Sequence, residues 1–194
     1  RESLDPVRYI SNHSSGKMGL ALARAAWERG ADVTLVHGPV NMPVPYGVKG
    51  IAVNSADEMH NALFGCVNSG IDLAIMSAAV ADFKPANEDD DKIKKEYTDT
   101  GKVILPTVPL TANKDILADL VEHRNDYDMK FKIVGFAAET SKVMERAKEK
   151  FARKGCEFLV VNDVSQSEST FGADTNKITM LMSDRVDKYS WKTM

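Results

Sequence analysis

Lys132-Ile-Val-Gly-Phe-Ala-Ala-Glu-Thr140 runs into Ser141-Lys-Val-Met-Glu-Arg-Ala-Lys-Glu-Lys-Phe-Ala-Arg-Lys154, and Gly155-Cys-Glu-Phe-Leu-Val-Val-Asn-Asp163 follows. The apolar run Lys132–Phe136 predicts a strand that stops on small and polar residues. Ser141–Lys154 holds helix formers and no glycine or proline, so it predicts a helix with Gly155 as its stop. Glu157–Val161 is a second strand, ending in Asn162-Asp163. Strand, helix and strand within about thirty residues is the repeating unit of a parallel sheet.

The same alternation extends outward in both directions. Asp72–Ser77 reads as a buried strand followed by the small-residue stretch Ala78-Ala-Val-Ala-Asp82. Lys17–Arg29 has helical spacing and Gly30 at its end. Asp32–His37 and Val48–Val53 are strands. Ser55-Ala-Asp-Glu58 is a capping box that opens a helix to about Asn68. Lys102–Leu105 is a strand and Lys114–Arg124 a helix. Lys177–Met182 and Val186–Trp191 form a hairpin turning at Ser183-Asp184, placed to extend one sheet edge or cap a second face. The expected fold is a single α/β domain over 1–194. Its sheet is open, mostly parallel and Rossmann-like, with helices on both faces and a C-terminal β-hairpin. Residues 84–102 break the pattern. They hold Asp89-Asp-Asp-Lys-Ile-Lys-Lys95 and predict a mobile flap.

Composition narrows the function classes. The 194 residues carry 25 Lys and Arg against 28 Asp and Glu, a net charge of −3. A dedicated nucleic-acid binder would be clearly basic. The longest apolar run, Leu73–Ala81, falls far short of the roughly 20 residues of a membrane helix. Two cysteines, Cys66 and Cys156, build neither a disulfide framework nor a zinc site. A reducing, cytoplasmic setting with both thiols buried is expected.

Ligands of open α/β sheets bind beyond the carboxyl ends of the strands. Four segments stand there: Ser11–Gly16, Ser77–Asp82, Phe136–Thr140 and Asn162–Ser165. Serines and Gly16 ahead of a helix make an anion site from free N–H groups, or simply a capped helix. A P-loop is excluded by Ser11 and Met18, and a G-x-G-x-x-G fingerprint by the absence of glycine at 14. Lys92, Lys94 and Lys95 either neutralise a polyphosphate or form a solvated charged face with the aspartates before them. Lys150 and Lys154 share a helix face, and also suit the last turns of a helix without any ligand. Asp82 and Asn162-Asp163 either hold ribose or a metal, or cap turns. His13, His37, His60 and His123 have no ligand spacing, and His60 and His123 read as helix-surface residues. No Ser–His–Asp triad is expected.

Asp5-Pro-Val-Arg-Tyr-Ile-Ser-Asn-His-Ser-Ser-Gly-Lys-Met-Gly19 closely resembles the opening motif of the phosphopantothenoylcysteine synthetases, the phosphopantothenate–cysteine ligases of coenzyme A biosynthesis. Ala78-Ala-Val-Ala-Asp82, Lys92-Ile-Lys-Lys95, Gly135-Phe-Ala-Ala-Glu-Thr140 and Asn162-Asp-Val-Ser165 follow in that family's order, so the resemblance reaches about Thr170. It implies a ligase that activates 4′-phosphopantothenate with a nucleoside triphosphate, CTP in the bacterial form. Pyrophosphate leaves, an acyl-cytidylate forms, and the amine of L-cysteine displaces CMP. It also implies magnesium and a homodimer with the site close to the subunit interface.

Residue by residue, the resemblance assigns Asn12 to the pantothenate carboxylate and the acyl-nucleotide, with Arg8 assisting. Met76, Ser77 and Ala78 line the nucleotide, Ala79 adjoins the substrate, and Asp82 contacts the nucleotide. Lys92 engages the triphosphate from the flap. Phe136 lies by the cytosine. Lys150, Lys154 and the turn Thr111-Ala112-Asn113-Lys114 bind the nucleotide; Lys114 stands where many bifunctional members carry proline. No pattern assigns metal ligands. The family normally opens with an apolar strand and a Gly-Pro-Thr turn ahead of the Arg1–Asp5 segment, so a sheet short of its first, central strand is expected. Many bacterial members are fused behind a flavin-dependent phosphopantothenoylcysteine decarboxylase. Such a domain is expected in or beside the full-length protein, and no flavin in this one. The same chemistry with ATP, a non-catalytic nucleotide-binding Rossmann-like domain and an inactive assembly module are the alternatives.

Overall fold

The computed structural model describes residues 1–139, 143–163 and 175–193. In chain order the elements are β1 (Glu2–Ser3), β2 (Tyr9–Ile10), α1 (Lys17–Trp27), β3 (Thr34–His37), β4 (Lys49–Ala52), α2 (Ala56–Asn68), β5 (Leu73–Met76), β6 (Phe83–Pro85), β7 (Glu96–Tyr97), β8 (Val103–Ile104), β9 (Leu110–Ala112), α3 (Ile116–Asp126), β10 (Lys132–Glu139), α4 (Val143–Lys154), β11 (Phe158–Asp163), β12 (Thr175–Leu181) and β13 (Val186–Thr193). Thr140 and the segment after Asp163, including Ser165 and Thr170, lie outside the described residues.

Five strands form one sheet in the order β13-β12-β11-β10-β5. β5, β10 and β11 are parallel, with Val134 opposite both Ile75 and Phe158. The terminal hairpin joins this sheet antiparallel along β11, so it extends an edge. β3 and β4 form a separate parallel pair with Leu35 opposite Gly50. The sheet is therefore divided between β3 and β5. Leu73 and Ile75 on the β5 edge stand 49% and 38% exposed, the apolar surface that another strand would cover.

Local chemistry explains the element ends. Ser55 Oγ accepts the Glu58 N–H at 3.1 Å. The reciprocal bond of Glu58 lands on the Asn54 N–H at 2.8 Å, one residue before the usual partner. Buried Glu2 supplies a third cap, its Oε1 accepting the Ala56 N–H at 3.0 Å. Gly30, at φ 88°, closes α1 with its N–H on the Trp27 carbonyl. Asp115 caps α3 by accepting the Ala118 N–H at 3.1 Å, which leaves Lys114 in the preceding turn rather than in the helix.

Helices α2, α3 and α4 press Val67, Leu120 and Ala147 onto Ala74, Ile133, Ala137, Leu159, Val161 and Leu181 of the sheet. Ile133, Gly135 and Ala137 alternate inward along β10. A Cβ at Gly135 would come within 3.1 Å of Leu159 and 3.2 Å of Leu117, so glycine lets α3 lie close to the sheet. Helix α1 buries Leu20 and Ala23 outside this cluster. Cys156 is buried as expected, whereas Cys66 is only half-buried. His60 and His123 are not simple surface residues. His60 stacks on Phe64 with ring centres 4.2 Å apart, Phe64 meets His123 at 5.0 Å, and His123 meets Tyr127 at 4.6 Å. This ladder ties α2 to α3. No described helix is long and apolar enough to cross a membrane.

Leu120 has no exposed surface at the centre of this packing. Leu120→Ala is expected to lower stability by about 2–5 kcal/mol, read as a lower urea midpoint with an unchanged denaturant slope.

Candidate active site

Parallel register sets β5, β10 and β11 ending in the same direction. Met76 is opposite Gly135, so Ser77 leaves β5 beside Phe136, while β10 does not stop at Phe136 as expected but runs on through Ala137 and Ala138 to Glu139, paired with β11. Ala138 is opposite Asn162. Asn162 Oδ1 accepts from Asn176 Nδ2 at 3.2 Å, which binds it to the hairpin. Phe136 is half-buried, while Ala78, Ala79 and Asp82 are exposed beyond the strand end.

One hydrogen bond and one close backbone approach bring the opening motif to this end. Asn12 Nδ2 donates to the Val80 carbonyl at 3.1 Å, which places the amide over the 77–82 turn. A Cβ at Gly19 would lie 3.3 Å from Ser77 Oγ, so the first turn of α1 packs on the same turn. Gly16 is the N-cap of α1 at φ 75° and offers no side-chain cap. Left-handed backbone there suits glycine. Ser15 Oγ accepts the Lys17 N–H at 3.4 Å.

The 111–114 turn meets the other side of the 77–82 turn. Strand β9 pairs with β6, Thr111 opposite Lys84. The Asn113 N–H donates to the Asp82 carbonyl at 2.9 Å and Asn113 Nδ2 to the Ala81 carbonyl at 3.1 Å. Asn113 Oδ1 is buried with no hydrogen-bond partner. Lys114 and Lys84 share the carboxylate of Asp57, Lys114 Nζ at 3.2 Å. Lys84 and then Lys114 hold the Asp57 carboxyl below the ordinary range. Lys154 is largely buried, and its ammonium is paired with Asp115 at the cap of α3. Lys150 is half-buried one turn earlier. The structure thus joins Lys154 to the 111–114 turn through Asp115.

Lys92 is exposed in the 84–102 segment. That segment carries the small antiparallel pair β7–β8, Tyr97 opposite Val103. It returns to the opening motif at Ile93, whose N–H meets Asp5 and whose carbonyl meets Arg8. Asp5 is buried, and the Arg8 guanidinium beside it holds its carboxyl well below the usual carboxylate range. The sequence reading gave no role to Asp5, Asp57 or Lys84. Asp5-Pro6 with Arg8 three residues on carries a local turn signal; Asp57 and Lys84 are 27 residues apart and carry none.

Asn12, Met76, Ser77, Ala78, Ala79, Asp82, Thr111, Ala112, Asn113 and Phe136 therefore lie on elements that converge at one sheet end. Chemically this is a surface of backbone polar groups and amides with lysines at its margin. Among the described residues it shows no nucleophile hydrogen-bonded to a base. It suits anionic partners that react once held together.

Comparison with known proteins gives the relatives of the chain as a whole. The family described as DNA/pantothenate metabolism flavoprotein C-terminal domain matches residues 1–194. The chain is 45% identical over 184 residues to the coenzyme A biosynthesis bifunctional protein CoaBC of Escherichia coli strain K12, covering 95% of this chain and 44% of that protein. It thus spans less than half the length of that relative. A crystal structure of the C-terminal domain of CoaBC aligns with a TM-score of 0.77 at 34% identity, over 100% of this chain and 84% of that one. A Cab2 mutant in complex with phosphopantothenate-cysteine shares the fold, with a TM-score of 0.71 at 16% identity over 100% of this chain and 76% of that one.

The Asp115–Lys154 pair has a testable pH signature. Burial pushes the Asp115 carboxyl up, and Lys154 with the Ala118 N–H outweighs this, so its net position is below the ordinary value. A depressed carboxylate stabilises the fold above the unfolded-state pKa, about 3.9, and loses that contribution as the pH falls below it. Asp115→Asn keeps a capping oxygen but not the charge. Wild type is expected to be more stable than this variant at pH 7, with the difference closing below pH about 4 in urea titrations.

Proposed function

Because the chain belongs to the DNA/pantothenate metabolism flavoprotein C-terminal domain family, we propose that it is a ligase domain joining 4′-phosphopantothenate to L-cysteine in coenzyme A biosynthesis. In this reading the nucleotide is CTP. The observation that carries it is the Asn12 amide held on the Val80 carbonyl at the carboxyl end of β5. The names of the relatives support the pathway, and the resemblance of the five ordered motifs supports the reaction.

The pantothenate carboxylate attacks the α-phosphorus of CTP, and pyrophosphate leaves. The cysteine amine then attacks the acyl carbon of the cytidylate, and CMP leaves. An ionised carboxylate needs no base, so the first step calls for positioning and charge neutralisation. One Asn12 Nδ2 proton is on Val80, and the second is left to donate to the acyl oxygen. Arg8 assists from the same motif. Lys92 neutralises the departing pyrophosphate. Met76, Ser77, Ala78 and Ala79 supply backbone along the nucleotide and substrate, Asp82 and the Thr111–Lys114 turn hold the nucleotide, and Phe136 lies by the base. Lys150 and Lys154 complete the basic margin.

Magnesium enters with the triphosphate as part of the substrate. Closure of the 84–102 flap keeps water from the mixed anhydride. The reading includes a cytoplasmic homodimer. In the full-length protein it sits with a phosphopantothenoylcysteine decarboxylase domain, in keeping with the 44% share of the bifunctional relative that this chain covers.

Pyrophosphate release with magnesium, 4′-phosphopantothenate and either CTP or ATP tests the reaction and the base together. CTP-dependent release that turns over only with cysteine is expected; ATP-dependent turnover would reassign the nucleotide. Nucleotide binding without release in the full-length protein would favour a non-catalytic domain. Asn12→Asp is expected to form the acyl-cytidylate but release CMP slowly on cysteine addition. Lys92→Gln is expected to slow pyrophosphate release by about a hundredfold, and an unchanged rate would remove Lys92 from the mechanism.

A further inference from the structure

The turn at residues 4–8 binds one residue of the flap by both of its backbone groups. The Ile93 N–H donates to Asp5 Oδ2 at 3.2 Å. The Ile93 carbonyl accepts from Arg8 Nη2 at 2.9 Å. Asp5 and Arg8 are 88 and 85 residues away from Ile93 in sequence. A second tie joins the Asp89 N–H to the Leu4 carbonyl at 3.1 Å. Lys92 lies between these two anchors with an exposed side chain.

The receiving carboxylate is prepared before the flap arrives. Asp5 Oδ1 accepts the Val7 N–H at 2.9 Å and the Arg8 N–H at 2.8 Å. Asp5 Oδ2 accepts Arg8 Nε at 2.8 Å and also Arg8 Nη2. The Asp5 side chain has no solvent exposure. All four of these donors belong to the same short turn, so the ion pair stands whether or not Ile93 is bound. Releasing Ile93 leaves no buried charge without partners, and the dock is therefore reversible. It is also specific, since both backbone groups of one residue are engaged, the N–H by Asp5 and the carbonyl by Arg8.

We propose that Asp5 is a positioning residue for Lys92: with Arg8 it docks the Ile93 backbone and so sets where the neighbouring lysine meets the triphosphate, an inference that rests on the ligase reading. Asp5 touches no reacting atom. It acts by converting a long charged loop into one held at the residue beside its working cation.

Two variants separate this role from plain stability. Asp5→Asn alters the receiving group. Ile93→Pro removes the donated N–H and leaves the Asp5–Arg8 turn with its own bonds; because proline also restricts the backbone of Lys92 before it, Asp5→Asn, which leaves the flap sequence intact, must give the same change. Each is expected to slow pyrophosphate release about tenfold, in the same direction as Lys92→Gln but by less, the size expected for one hydrogen bond to a charged group, and to add nothing further once Lys92 is glutamine. Ile93→Pro should do so at an unchanged unfolding midpoint. The double variant should be no worse than the weaker single one. Hydrogen–deuterium exchange of residues 89–95 should quicken in Asp5→Asn while the strands keep their protection. Wild-type kinetics in Ile93→Pro, additive effects in the double variant, or unchanged exchange over 89–95 would each overturn the proposal. A wild-type protein that releases no pyrophosphate would instead sink the ligase reading, and the exchange result would then decide the dock by itself.

Discussion

Three parallel strands packed through one apolar seam are the constraint on which the rest depends. Ile133 and Leu159 have no exposed surface, and Leu120 of α3 closes over them. Their burial aligns β5, β10 and β11 in register, and register brings Ser77, Phe136 and Asn162 to one end. Gly135 is part of the same constraint. Any side chain there would press on Leu159, Leu117 and Cys156 and lift α3 from the sheet. Core packing thus determines where the polar surface forms, although no core residue reaches it.

The loops at that end are held by a few directed bonds rather than by apolar area. Asn12 is fastened to Val80, Asn113 to Ala81 and Asp82, and Ile93 to Asp5 and Arg8. Apart from the backbone bond between Asn113 and Asp82, these are side-chain contacts to backbone groups, which hold geometry without filling a cavity. Such a surface remains open to a large anionic substrate. The basic groups at its margin differ in freedom. Lys84, Lys114 and Lys154 are committed to Asp57 and Asp115, whereas Lys92 stands exposed on the flap. The committed lysines brace the helix starts beside the site.

Where sequence reading succeeded, the determinant was local. The capping box at Ser55–Glu58 needs four residues, and the stop at Gly30 needs a left-handed residue after a helix. The strand–helix–strand unit over 132–163 is legible because periodicity changes within one short segment. Readings failed where the partner is distant. His60 and His123 look like surface positions on separate helices, and only the packing of α2 on α3 stacks them through Phe64. Lys114 looks helical until Asp115 is seen to take the cap.

By itself, the sequence determined the alternation of elements, the parallel sheet they imply, the hairpin at the end and the motifs toward the carboxyl ends of the strands, although β10 and β11 run on through Glu139 and Asp163. Those properties follow from spacing, turn chemistry and side-chain type along a few residues. Only the tertiary structure decided that β3–β4 separates from the five-stranded sheet, that Asp57 serves two lysines, and that buried Asp5 receives the backbone of Ile93. Each of these depends on groups that meet across the fold. Whether a charge is satisfied or a strand edge covered is a property of its neighbours in space, which linear spacing does not encode.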